Sequence, residues 1–508
     1  MKTASMLSGY TVLCLFALPT LSLAQVTPQD VWSNMTAYAQ SFGVDLDANL
    51  SERGNRLSVD DISLYFPLPQ KAGLRISTGP LTLSAQTDGS VHVVMAKTQE
   101  YTLEFIDQDE IIGSITIQAV RSDNVTIATG TPGDITYESA IASYNAKITD
   151  LGGLLANAPR PVVAEGSFSA RDIVSHSRII EGDILNATGT VRYSSYSIEY
   201  DVRTGTQPNM RQTSTADGVG LTYALALPTQ AMLLLNMAAA ARDGMSVSLQ
   251  STAEKTQAGG SRFQAGLGML ETEMWVGPAS ADLRFDTNGL RLNANVKDYE
   301  LEVRFADLFA KAFSGHFANG SFEIALPVLA QDTPSDALSR FTIEQLELDE
   351  DIWGLIDPQA ALPRDPGELT IDLAAKVMIF YDLLDFLALN QLEQPPLEVN
   401  EVTMNSLVLE MVGAKLSGTG ALTFDNGDYT TFGGIPAPTG SINLELSGAN
   451  ELLDTMVAKG LLPEQQAMGV RMVLGLFARP GPEPDTLISK IEIDGETGAL
   501  SANGQRVK

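Results

Sequence analysis

The sequence predicts a mainly β fold, a β-rich α+β of long antiparallel meandering sheets with a few short apolar helices packed on or capping them. Three observations carry this. Apolar residues recur with period two in many short runs. Turn dipeptides such as Asp88-Gly89 and Asn288-Gly289 separate several of those runs. Helical spacing is confined to a handful of brief stretches.

The chain opens on a short basic start, Lys2, followed by an apolar segment that ends in the small-residue pattern Ser22-Leu23-Ala24. That pattern predicts a secretory signal over residues 1–24, cut after Ala24. Its strongest apolar run, Tyr10 to Leu18, is much shorter than the roughly 20 residues a bilayer crossing needs, so no transmembrane anchor is expected to outlast cleavage. Gln25, not cysteine, follows the cut, which disfavours a lipoprotein. The single cysteine, Cys14, lies within the signal. The remaining chain therefore has no disulfide, no thiolate metal site and no cysteine nucleophile. The expected compartment is the periplasm.

Of the 508 residues, 62 are acidic and 32 basic, a net charge of −30. A balance that acidic argues against nucleic acid, and against direct attraction to anionic headgroups. An apolar fraction of 44% argues equally against disorder.

Next comes a helix: Thr27 can cap, Pro28 suits the first turn, Val31, Trp32, Met35, Tyr38 and Phe42 recur near helical spacing, and Gly43 stops it. Residues 81–95 then read as a hairpin around Asp88-Gly89, and "YTLEF", "SITIQAV" and "NVTIATG" extend a meander. In "YSIEYDV" Ile198, Tyr200 and Val202 share one face. "LRFDTNGLRLNANV" reads as a hairpin about Asn288-Gly289. "YELEVRF" and "GSFEIALPV" are further strands, each with one wet and one dry face.

Helices are expected over Thr229 to Gly244, which is apolar nearly all round, and over "KVMIFYDLLDFLAL". Asn450 is expected to cap "ELLDTMVAK" with Gly460 as the stop, and Pro463 to start "PEQQAMGVRMVLGLF". The strand pair over residues 420–448 is then expected to have its dry face closed by the helix that follows. Pro-rich joints near residues 157–166, 362–368, 392–398 and 479–486 are too short to be free linkers. A weak echo of strand, cap and apolar helix suggests two β-rich halves, 25–224 and 225–508, the second bearing more helices.

Chemistry-bearing motifs are sparse. His92 alternates with valines in a strand, while His176 and His316 sit in loop-like surroundings, none at metal-ligand spacing from a partner. The chain has no G-x-S-x-G elbow, phosphate loop or dinucleotide fingerprint. The acidic clusters Glu347–Trp353 and Asp425–Asp428 do not follow a calcium-loop pattern. Asn34 and Asn186 stand in Asn-x-Thr triplets, which matter only in a glycosylating compartment. No catalytic, cofactor-binding or metal-ligating residue is nominated, and no cofactor is called for.

The stretch from "DIWGLIDPQAALPRDPGELTIDLAAKV" through "LSGTGALTFDNGDYTTFGGIPAPTGSINLELSG" to "LLDTMVAKGLLPEQQAMGVRMVLGLFARPGPEPDTLISKIEIDGETGALSANGQRV" resembles the uncharacterised domain-of-unknown-function family 2125 of Gram-negative bacteria. The opening "DVWSNMTAYAQSFG" resembles the start of such proteins too. The resemblance brings no catalytic residues with it. In style the sequence is also similar to AsmA-like envelope proteins, which implies long β-sheets and envelope lipid or protein homeostasis. Many AsmA-like proteins keep a membrane anchor; a cleavable signal departs from that and argues against membrane bridging. The expected function is thus a non-enzymatic periplasmic protein that binds or shields acyl chains or assists envelope assembly. The alternatives are a structural protein that pairs with an envelope partner through a sheet edge, and a carboxylate-dependent envelope hydrolase.

Overall fold

A computed structural model describes residues 26–122, 124–153, 162–204, 207–228, 236–264, 266–309 and 311–507. The signal segment and residues 229–235 of the expected apolar helix lie outside these. Of the described residues 65% are in strands and 12% in helices, so the protein is mainly β. It divides into two compact units, one comprising residues 1–269 and 284–287, the other residues 270–283 and 288–508.

In the first unit, helix α1 (Pro28–Gln40) starts as its sequence dictates. Thr27 Oγ1 accepts from the Asp30 amide and Asp30 Oδ2 accepts from the Thr27 amide, a reciprocal cap. Its inner face, Val31, Asn34, Met35 and Ala39, is buried. Ala39 joins Val44, Leu64 and Ile76 in one core cluster. The hairpin about Asp88-Gly89 forms as expected, with Leu81–Ala85 paired to Val91–Met95. Four long strands, Asp134–Gly153, Val162–Ile180, Ile184–Thr204 and Gln207–Pro228, then pair in sequence order, all antiparallel. A second core cluster, Ala119, Ile141, Tyr144, Ala170, Ile173 and Val191, sits on one face of that sheet.

Strands this long keep one face dry only by a change of parity. Ile173 and Ile179 are buried on odd positions, whereas Ala170 is buried on an even one. Between them Asp172 takes a left-handed φ of 47°. On the neighbouring strand the Ser194 hydroxyl donates to Asp172 Oδ2 at 2.7 Å, and one strand further Gly218 takes φ 60°. An irregularity of this kind re-aims side chains that would otherwise turn to solvent.

The second unit repeats the device. In Gly289–Phe305 the apolar positions are Leu290, Leu292, Ala294 and Val296, then Tyr299, Leu301, Val303 and Phe305, and Asp298 (φ 49°) makes the switch. In Ser335–Leu348 the switch is Gln345 (φ 57°), between Ile343 and Leu346. Eight strands follow one another antiparallel from Gly289–Phe305 to Thr486–Asp494.

Five further helices are described: α2 (Met237–Arg242), α3 (Glu350–Ile356), α4 (Phe386–Leu389), α5 (Ala449–Ala458) and α6 (Glu464–Phe477). Two helical expectations need correction. In "KVMIFYDLLDFLAL" residues 376–379 finish the strand Gly367–Ile379, and only Phe386–Leu389 is helical. The period-two series Leu369, Ile371, Leu373, Ala375, Val377, Ile379 wins there, because each member is opposite an apolar partner on the next strand. Asn450 does not cap α5. Gly448 is the cap residue, at φ 72°, and a Cβ there would come within 2.2 Å of the Gly413 carbonyl oxygen. Asp485, remote in sequence, accepts from the amides of Asn450 (3.1 Å) and Glu451 (2.9 Å) and so serves the helix start.

Candidate functional site

The candidate site is one face of these eight consecutive strands of the second unit, and strand register builds it. Ala294, Phe322, Phe341, Ile371, Leu407, Gly418 and Leu444 stand opposite one another across seven strands. A second line runs Val296, Gly320, Ile343, Leu369, Leu409, Leu416, Leu446, Leu487. A third passes through Leu292, Ile324, Leu373, Met404, Ile442 and Ile491, interrupted by Ser339 and Gly420. Beyond the parity switch the same face continues through Tyr299 and Phe317, whose rings stack at 4.7 Å. The rings of Phe305, Phe309 and Phe313 follow, edge to face at 6.3 and 5.2 Å.

None of the residues in these three lines is buried. Phe341 is 36% exposed and Leu409 46% exposed. An apolar surface of this extent is normally closed by a second layer. Here the expected closure fails in part: α5 starts beside Gly413 and buries Leu453, yet Leu416, Leu422 and Leu444 stay half-exposed.

The opposite face is polar and tied by charge. Arg340 donates to Asp372 Oδ2 at 2.9 Å and to Glu323 Oε2 at 3.3 Å, bridging three strands. Burial works against ionisation of Asp372, but hydrogen bonds from Asn405 and Arg340 outweigh it and hold its carboxyl below the usual range. The two faces therefore differ in what they can bind: one offers mainly apolar area, with Ser339 the polar side chain in its three lines, the other solvated polar groups and ion pairs.

Candidate chemical groups elsewhere are occupied by structure. The carboxylate of Asp428 lies far below the ordinary range because the Thr431 hydroxyl, the Thr430 and Thr431 amides and the Thr430 hydroxyl all donate to it. In the other acidic cluster Asp349 caps α3, accepting from the Ile352 amide at 2.7 Å and the Ser314 amide at 2.5 Å. Asp357, fully buried, accepts from the amides of Ala361 and Leu362, shaping the turn after α3. Arg364 closes that turn with its guanidinium 5.2 Å over the buried Trp353 ring.

His92 lies in Val91–Met95. His176 and His316 lie in strands as well, not in loops. His176 Nδ1 is 3.5 Å from Glu138 Oε1, its cross-strand partner on the surface, a proximity that sequence spacing does not reveal. In the first unit the buried Arg121 donates to Gln99 Oε1 (2.8 Å), the Tyr101 hydroxyl (2.7 Å) and Met95 Sδ (2.9 Å). It stands 5.5 Å over the Tyr144 ring, whose hydroxyl burial pushes up to about 12. A hollow of about 540 Å³ between α1 and the strand Asp45–Arg53 is lined by Trp32, Thr36, Leu50 and Leu57, with Glu52 as its one carboxylate. Among the described residues no group of three or more metal-ligating side chains converges. No helix of the described chain is long and apolar enough to cross a membrane.

The apolar lines were half-visible in sequence. Each strand's alternation is there, but the register that aligns them and the incomplete burial of the resulting lines are not. Comparison with known proteins bears on the same region. The model of the family described as "Uncharacterized protein conserved in bacteria (DUF2125)" matches residues 245–501, which contain all eight of these strands. No curated protein and no solved structure matches the chain.

Proposed function

The chain belongs to the DUF2125 family of uncharacterised bacterial proteins, and from that premise we propose that it is a non-enzymatic envelope protein of the periplasm that holds lipid acyl chains against the open apolar face of its second unit. One observation supports the reading above the others: three registered apolar lines cross the sheet and none of their residues is buried. Acyl chains need area and no polar anchor. Half-burying about a dozen methylenes yields roughly 5 kcal/mol at ~0.8 kcal/mol per methylene, enough for reversible capture. The secretion signal read at residues 1–24 supports the compartment.

The test is mass spectrometry of lipid extracted from protein purified from the periplasm, paired with displacement of a fluorescent fatty acid in vitro. Phe341→Glu and Leu409→Glu put charge on the face at positions where the new side chain still reaches water, so the fold survives. Both are expected to weaken fatty-acid binding by about tenfold or more. Lipid-free protein from the periplasm, together with no binding in vitro, would refute the proposal.

A further inference from the structure

The hollow beside α1 has two walls of different chemistry. Trp32, Thr36 and Gln40, spaced four apart, lie along one flank of the helix and supply the first. The hairpin of Asp45–Arg53 and Arg56–Leu68 supplies the second, through Leu50 and Glu52 on one strand and Leu57, directly opposite Glu52, on the next. Leu57 is 3% exposed and Leu50 54%, so this wall runs from a dry floor to a wet rim. The half-buried Trp32 and the exposed Glu52 thus stand on opposite walls of a space of about 540 Å³. That volume lies within the roughly 300–1,000 Å³ usual for small-molecule sites.

Charge selects the ligand. Glu52 is the one charged group in the lining, and it has no ion-pair partner among the described residues. The nearest arginines in sequence, Arg53 and Arg56, oppose each other one register step further on, and so turn to the other face of the hairpin. An anion entering here meets a carboxylate with no counter-charge, whereas a cation finds its complement. A primary ammonium asks for an acceptor on every N–H, and Trp32, Leu50 and Leu57 offer carbon. A quaternary ammonium asks for none: its charge is spread over methyl groups that an indole face attracts directly. One carboxylate facing carbon and aromatic surface is the lining that suits it.

We propose that this hollow binds a quaternary ammonium group, the trimethylammonium of a small solute or of a lipid headgroup, with its methyls against Trp32 and its charge balanced by Glu52. The site lies in the first unit and does not depend on the acyl-chain face of the second.

The experiment is isothermal titration calorimetry of the full chain with choline, with glycerophosphocholine, and with 3,3-dimethylbutan-1-ol, the uncharged isostere of choline. Choline is expected to bind saturably with a dissociation constant of about 1 mM or tighter, and the isostere about tenfold more weakly or worse. Glu52→Gln, at an exposed position, is expected to weaken choline about tenfold and to leave the isostere unchanged. Trp32→Leu, with far-UV dichroism matching wild type, is expected to weaken choline about tenfold as well. Phe341→Glu, which tests the acyl-binding face, is expected to bind choline as wild type does. Tighter binding of glycerophosphocholine than of choline supports a lipid headgroup as the source, and the reverse order a free solute. No saturation by either ammonium up to about 10 mM, equal affinity for choline and its isostere, or unchanged choline affinity in Glu52→Gln overturns the proposal.

Discussion

Replacing Asn34 with alanine tests how the first unit holds its helix. Asn34 is fully buried in α1. Its Oδ1 accepts from the Tyr137 hydroxyl at 2.7 Å and its Nδ2 donates to Glu181 Oε1 at 2.7 Å, so one side chain ties the helix to the strand Asp134–Gly153 and to the turn that follows Val162–Ile180. Alanine removes a neutral bond of about 1 kcal/mol and a charge-assisted one of about 1.5–3 kcal/mol. It also strands the hydroxyl of Tyr137, which is 0% exposed and otherwise has only the Val31 carbonyl at 3.5 Å. Burial and the Glu181 charge raise that hydroxyl well above its ordinary range, so it stays a donor at any ordinary pH. Better helix propensity returns about 0.5 kcal/mol. The net expectation is a loss of about 3 kcal/mol, read by urea unfolding with fluorescence of Trp32, which lies on the same helix. Tyr137→Phe alone should cost about 1–2 kcal/mol, and the double variant clearly less than the sum of the two. A loss under about 1 kcal/mol for Asn34→Ala, or strict additivity of the pair, would refute this account of the helix–sheet tie. The same burial means that a glycan on the Asn34 triplet is incompatible with the folded chain.

Three further outcomes are expected. Asp485→Ala should destabilise by about 1 kcal/mol at neutral pH through loss of the cap on α5. Burial opposes ionisation of Asp485, but bonds from Glu451 and Asn450 win and hold its carboxyl below the usual range. Its contribution is therefore complete above the unfolded value near 4 and lost as pH falls through the folded one. Urea midpoints of wild type and Asp485→Asn should accordingly converge in acid. Gln345→Gly should be neutral or stabilising by up to about 1 kcal/mol, since glycine accepts φ 57° freely, whereas Gln345→Val should cost about 1–2 kcal/mol; thermal melts compare the two. Asp357→Ala should cost about 2–3 kcal/mol by orphaning the amides of Ala361 and Leu362, and near-UV dichroism from Trp353 should change with it.

How much was legible from sequence differs by element, and the reason is range. Thr27, Asp30 and Pro28 determine the start of α1 because every group involved lies within four residues. The hairpin at Asp88-Gly89 is likewise local. Even the parity switches are visible, as in the step from Val296 to Tyr299, where two alternating runs fall out of phase. The cap on α5 was misread because its carboxylate, Asp485, arrives from a remote strand, and no local rule can find it. "KVMIFYDLLDFLAL" was misread because cross-strand partners overrule an apolar composition that suits either period. The sequence alone thus determined a mainly β protein of one-sided strands and the dry side of each. Only the tertiary structure decided that eight of those sides align in register and that the residues of the three lines stay short of full burial among the described residues, because register and coverage are set by contacts between segments far apart in the chain.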